Sequence, residues 1–223
     1  MVLIFDLDDT LYEERTFVLS GLKAVSRFGH DRFGWNPETS FNFMINIFNN
    51  YGRGTIFDRW LSYHGTWSKS LVNECIKCYR YHTPNIELNS TAKKILPLLK
   101  ETPLYLVTDG HKVVQANKVD ALGLEAFFKR IMITHRFGLK HAKPSIYCFE
   151  KIKASENCSW SDMVYIGDNP AKDFINLNPL GVHTIRVLTG EYSKVIGKSG
   201  YEAQYQIQAL DELLVALDHL KDQ

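Results

Sequence analysis

The stretch Met1 to Tyr12, MVLIFDLDDTLY, decides how the rest of the chain is read. Val2, Leu3, Ile4 and Phe5 form a short apolar run rich in strand formers, and carboxylates follow where the run stops. In an open α/β sheet, ligands bind outside the carboxyl ends of the strands, so a strand that ends in acids aims them at a site. Asp6 and Asp8 are two apart, so in strand geometry their side chains lean the same way while Leu7 packs opposite. Adjacent carboxylates repel unless a cation, hydrogen-bond donors or a shared proton offsets the repulsion. A divalent metal is the first expectation.

Working outward, the seventy or so residues after Tyr12 read as helices. Val18, Leu22, Val25 and Phe28 recur at helical spacing, and Asn36-Pro37 starts a second helix with Phe41, Met44, Ile45 and Phe48 on its inner face. Ile56, Phe57, Trp60 and Leu61 mark a third, and Leu71, Val72, Cys75, Ile76 and Tyr79 a fourth. From Asn89 the pattern alternates. A helix over 90–100, disturbed at Pro97, leads to a strand at 104–108, and a helix over 112–122 ends at Gly123. Strands are expected at 131–134, 163–167 and 183–187, helices at 145–153 and 171–176, an edge strand at 205–207, and a final leucine-rich helix. Such alternation predicts an α/β fold: a Rossmann-like parallel sheet with helices on both faces, built from 1–12 and 88–223, with an all-helical domain, 13–87, inserted after the first strand.

Composition narrows the function. The 223 residues carry 26 Lys and Arg against 25 Asp and Glu, a balance that offers no global attraction to nucleic acid or an anionic membrane. No apolar run approaches the roughly 20 residues that span a bilayer, and four cysteines make no disulfide framework in a chain this size. A soluble cytoplasmic protein is expected. Cys75 and Cys78 fit a helical apolar stripe, and no second such pair completes a zinc site.

The later strands also end in polar chemistry. The strand at 104–108 runs into Thr108-Asp109-Gly110, Lys143-Pro144 precedes a helix, and the strand at 163–167 runs into Gly167-Asp168-Asn169-Pro170-Ala171-Lys172-Asp173. A parallel sheet gathers these ends on one edge. In these four motifs, DxDxT at Asp6 to Thr10, the Thr108 hydroxyl, Lys143 and GDxxxxD at Gly167 to Asp173, the sequence resembles the haloacid dehalogenase superfamily, in the branch with a helical cap inserted after the first strand.

The resemblance implies that Asp6 attacks phosphorus and forms an aspartyl phosphate, and that Asp8 protonates the leaving oxygen and later deprotonates water. It implies Mg²⁺ bound by Asp6, Asp8 through its backbone carbonyl, and Asp168, with Asp173 behind them. Thr108, Lys143, Thr10, Gly110 and Asn169 are implied at the phosphate, together with the backbone of Asp109. This chain has Asp109 where many relatives carry Asn, so its carboxylate is expected to turn away and bond locally. Arg53, between Gly52 and Gly54 in a turn of the helical insertion, is a further candidate for substrate contact. Asp173 reads equally well as a first-turn acid of the helix at 171–176.

Asp8 favours an oxygen leaving group over a halide, and the expected function is an Mg²⁺-dependent phosphatase acting on a small phosphorylated metabolite such as a sugar phosphate or nucleoside monophosphate. Alternatives are a phosphomutase or phosphotransferase of the same chemistry, and a non-catalytic phosphate-binding or signalling protein.

Overall fold

The computed structural model of the protein describes residues 1–221. The chain divides into two compact units, Arg15–Ile86 and the remainder, in which Met1–Glu14 joins the chain from Glu87 onward.

The second of these is an α/β unit. Its strands are β1 (Val2–Phe5), β2 (Leu104–Thr108), β3 (Arg130–Ile133), β4 (Met163–Gly167), β5 (His183–Val187) and β6 (Tyr205–Ile207), ordered β3-β2-β1-β4-β5-β6 and paired in parallel throughout. The inner strands β1, β2 and β4 are buried along their whole length, which is why they read as unbroken apolar runs. Ile4, Tyr105, Met132, Phe149, Tyr165 and Phe174 belong to one core cluster.

The strand order reverses direction at β1. β2 lies on one side of it and β4 on the other, so the chemistry at their carboxyl ends meets at the topological switch point. Phe5 is in register with Ile166, and the Asp6 amide donates to the Ile166 carbonyl at 2.8 Å, which brings the acids after β1 beside those after β4.

The helical unit comprises most of α1 (Glu14–Phe33) and all of α2 (Pro37–Tyr51), α3 (Ile56–Tyr63) and α4 (Lys69–Tyr81). The start of α2 is chemically specified: the Asn36 side chain accepts from the Thr39 amide at 2.9 Å, and Pro37 supplies a helical φ at the first position. Val18, Leu22, Val25, Met44, Trp60 and Cys75 are buried in its core. On α2 the buried pair is Met44 and Ile47, while Phe41, Ile45 and Phe48 stay half-buried, a rotation of the expected face toward Ile47. All four cysteines are free thiols.

Back in the α/β unit, α5 (Ser90–Leu98), α6 (Lys112–Ala121), α7 (Tyr147–Glu156) and α8 (Leu213–Lys221) complete the helices. The helix expected over 171–176 does not form. The Asn169 side chain accepts from the Ala171 amide at 2.9 Å, Asp173 accepts from the Asn169 amide at 2.9 Å, and the amides of Lys172 and Asp173 both return to the Asn169 carbonyl, so the segment folds as consecutive turns. Six residues offer few helical bonds against the cost of nucleation. The reading of Asp173 as a helix first-turn acid falls with it. No helix among the described residues is long and apolar enough to cross a membrane.

Candidate active site

Asp6, Asp168 and Asp173 are buried, and one carboxylate oxygen from each lies within 4.8 Å of the others. Each arrives for a local reason. Asp6 is the first residue beyond β1, Asp168 the first beyond β4, and Asp173 is turned back onto the sheet by the Asn169 turn. Among the described residues this is the one group of three or more acids, histidines or cysteines with metal-ligand spacing.

Lys143 stands inside the group. Its ammonium is 2.9 Å from Asp6 Oδ1 and 2.8 Å from Asp173 Oδ1, and it donates to the Tyr165 hydroxyl at 2.9 Å. Tyr165 donates on to Asp173 Oδ1 at 3.1 Å, so all three ammonium protons and the phenol are committed. Asp173 holds Lys143, Tyr165 and the Asn169 amide together, and Asn169 is itself spent on the turn.

One lysine does not balance these acids. Burial pushes Asp6 up to about 6, with Lys143 opposing and Asp173 adding to the rise. Burial, joined by the charges of Asp6 and Asp173, pushes Asp168 up to about 9. Burial alone would lower Lys143, but Asp173 and Asp6 carry it well above its ordinary value. A buried cluster of hard oxygen donors with surplus negative charge fits a divalent cation such as Mg²⁺.

The carboxylate of Asp8 is not part of this group. It accepts from Tyr12 Oη at 2.5 Å and Lys118 Nζ at 2.6 Å on one oxygen, and from Gln115 Nε2 at 2.9 Å on the other. Burial would raise its pKa; the Lys118 charge and these hydrogen bonds outweigh burial and lower it. Gln115 Nε2 also donates to the Thr108 hydroxyl at 2.6 Å. Lys118 is itself buried and backed by Glu14 at 3.5 Å.

Asp109 carries its carboxylate onto neighbouring loops. Oδ1 accepts from the Thr134 hydroxyl at 2.5 Å and from the Lys143 amide at 3.1 Å, and Lys172 Nζ lies 3.9 Å from Oδ2. Thr10 is fully buried, and its hydroxyl has no hydrogen-bond partner among the described residues. Arg53 lies in the helical unit, where with Val18, Phe57, Tyr79 and Arg80 it lines a cavity of about 200 Å³.

Several residues were missed by the sequence reading. Asp9 adopts φ 53°, and its carboxylate accepts from the amides of Glu14 at 2.8 Å and Glu191 at 3.1 Å, while the Thr189 hydroxyl donates to its carbonyl. A Cβ on Gly190, whose φ is 65°, would stand 2.1 Å from Asp9, so glycine is required there. Arg186, buried on β5, donates to the Asp168 carbonyl at 3.2 Å, to Glu202 at 2.7 Å and to the carbonyls of Tyr192 and Val195, fixing the backbone that presents Asp168. Gln115 and Lys118 had a legible signal. They share a helix face with Val119 and Leu122 at spacings of three, four and seven, so an amphipathic reading of α6 turns them inward.

The chain is similar to known proteins along most of its length. A glyceraldehyde 3-phosphate phosphatase of Methanocaldococcus jannaschii is 27% identical over 228 residues, covering 98% of this chain and 97% of that protein. The protein of the same name from Pyrococcus furiosus is 26% identical over 230 residues, covering 97% and 92%. Among solved structures, the HAD hydrolase YfnB of Bacillus subtilis, described as bound to magnesium, superposes with a TM-score of 0.70 at 19% identity over 97% of this chain and 98% of that one. A 2-haloacid dehalogenase of Pseudomonas syringae gives 0.66 at 18% identity over 98% and 99%. At such identities the two structures speak for the fold alone. A family model described as haloacid dehalogenase-like hydrolase matches residues 3–187, from the first strand through the fifth, and with that match the chain belongs to the haloacid dehalogenase-like hydrolases.

Proposed function

We propose that this hydrolase is an Mg²⁺-dependent phosphatase of small phosphorylated metabolites, with a triose phosphate such as glyceraldehyde 3-phosphate as the leading substrate. The observation that carries the reading is the arrangement of Asp6, Asp168 and Asp173 around Lys143 at the switch point of the sheet. The triose phosphate rests on the names of relatives 24% to 27% identical to this chain. The α/β unit serves as the catalytic core and the helical unit as the family's cap.

Asp6 is the nucleophile. Its carboxylate oxygen attacks phosphorus, the bond from phosphorus to the leaving oxygen breaks, and an aspartyl phosphate forms. Water then attacks that phosphorus, the bond to Asp6 breaks, and inorganic phosphate leaves. Asp8 protonates the departing alcohol in the first half and takes the proton of the attacking water in the second. The Lys118, Tyr12 and Gln115 contacts hold Asp8 in its base form, so a proton must be taken up before the first half begins.

Asp6, Asp168 and Asp173 would hold Mg²⁺, which when bound supplies positive charge against the phosphate and the clustered acids. Lys143 keeps Asp6 ionised and offsets charge gathered during transfer, while the Thr108 hydroxyl and the amide of Gly110 bind phosphate oxygens.

The test is phosphate release from a panel of triose, pentose and hexose phosphates, nucleoside monophosphates and phosphorylated acids, with Mg²⁺ or EDTA. Turnover that needs the metal, is highest on glyceraldehyde 3-phosphate and falls at least ~10³-fold in Asp6→Asn is the expected result. Metal-independent turnover, or turnover retained in Asp6→Asn, would overturn the mechanism.

A further inference from the structure

The amide of Gln115 touches two groups of the proposed reaction at once. Its Nε2 lies 2.9 Å from Asp8 Oδ2 and 2.6 Å from Thr108 Oγ1, in a position only 1% exposed. An amide nitrogen carries two hydrogens, and an ionised carboxylate can only accept. Asp8 therefore dictates which end of the Gln115 amide faces it. With one N–H bound to Asp8, the other is presented to Thr108, whose oxygen accepts it.

A threonine hydroxyl has one proton to give. With its oxygen accepting from Gln115, that proton is left to point elsewhere, and among the described residues Thr108 makes no other side-chain bond. We propose that Gln115 is a positioning residue: it sets the polarity of the Thr108 hydroxyl, so that Thr108 donates to a phosphate oxygen rather than accepting. The proposal rests on the phosphatase reading for the place of the phosphate, and it gives Gln115 a second role beyond its contact with Asp8.

The surroundings keep the amide in this orientation. Lys118 and Tyr12 fix the other oxygen of Asp8 at 2.6 and 2.5 Å, so the carboxylate cannot turn away from Gln115 without losing both. Gly110, at φ 137°, leaves room for the Gln115 side chain; a Cβ there would stand 3.1 Å from Gln115 Cγ and Cδ. Polarity thus passes from Asp8 through Gln115 to Thr108, with Lys118 and Tyr12 as anchors.

A double-mutant cycle tests this. Wild type, Gln115→Met, Thr108→Val and the double variant are compared for calorimetric binding of inorganic phosphate in Mg²⁺ and for kcat and KM. Methionine keeps the length and loses both N–H groups. With Thr108 present, Gln115→Met should weaken phosphate binding and lower kcat by about 10-fold each, part of the ~10²- to 10³-fold that a full oxyanion donor is worth. In the Thr108→Val background the same substitution should change phosphate binding less than about 2-fold, because no hydroxyl is left to orient, while kcat keeps the part of its loss that runs through Asp8.

A merely structural role would give equal losses of phosphate binding in both backgrounds, and that result overturns the proposal, as does unchanged phosphate binding in Gln115→Met. If Gln115→Met does not fold, Gln115→Glu repeats the cycle with a side chain of the same size that accepts from Thr108 and reverses its polarity. Because phosphate binding needs no turnover, the cycle reads out even if the substrate panel fails; wild type without turnover would sink the phosphatase reading alone.

Discussion

Asp6 and Asp8 stand two residues apart on one loop, and their surroundings drive them in opposite directions. Around Asp6, two more buried acids crowd a carboxylate that Lys143 pairs with, and burial raises it to about 6. Around Asp8, an ammonium, a phenol and an amide converge on one carboxylate, and its pKa is lowered. The first pocket is short of positive charge and the second has enough. That contrast separates a pocket short of positive charge from one that holds a carboxylate still, although sequence spacing alone treats the two acids as equivalent.

The largest expected difference between the pockets comes from removing each one's lysine. Lys143→Met takes the cation that ion-pairs with Asp6 and Asp173, and should lower kcat by ~10³-fold and, without metal, destabilise the fold by ~3–5 kcal/mol, the usual cost of breaking a buried pair. Lys118→Met leaves Asp8 with Tyr12 and Gln115 and should cost less in stability, ~1–3 kcal/mol. Denaturant unfolding of both variants in EDTA checks the order, and equal losses would break the contrast.

Next in size is the pH dependence of metal binding. Asp168 is raised from 3.8 to about 9, so between those values the folded protein holds a proton that the unfolded chain has released. Stability without metal should therefore fall as pH rises through that window, with Asp6 adding the same sign up to about 6. Asp8 is shifted the other way, and its contribution is lost only at pH below the ordinary carboxylate value, outside this window. A bound cation replaces the proton, so the rise in Tm given by a fixed Mg²⁺ concentration should be larger at pH 8.5 than at pH 5.5. Thermal scans at the two pH values decide it, and a constant increment would place the metal elsewhere.

The smallest effect sharpens the comparison inside the Asp6 pocket. Tyr165→Phe removes one hydroxyl that accepts from Lys143 and donates to Asp173, while both ion pairs remain. A loss of about 1 kcal/mol in stability is expected, with kcat changed less than about 3-fold. A loss as large as that of Lys143→Met would show that the phenol, and not the ion pairs, organises the acids.

Much of this was readable along the chain. The apolar runs at β1, β2 and β4 announce buried parallel strands because both faces are covered, and an acid or hydroxyl at the end of such a run is placed at the sheet edge by the fold itself. Asn36-Pro37 announces a helix start because the signal is local. The segment 171–176 misled because it is short and its first amides turn back onto Asn169, which composition does not record.

The primary structure by itself determined the α/β class, the helical insertion and the acids at the strand ends, since each depends on residues close together in the chain. Only the tertiary structure decided how charge is shared among them. Lys143 reaches Asp6 across a sequence separation of more than a hundred residues, and Gln115 and Lys118 reach Asp8 across a comparable one. Electrostatics and hydrogen bonding act over a few ångströms of space, so the neighbours that crowd one carboxylate with acids and satisfy the other with donors meet only once the chain has folded.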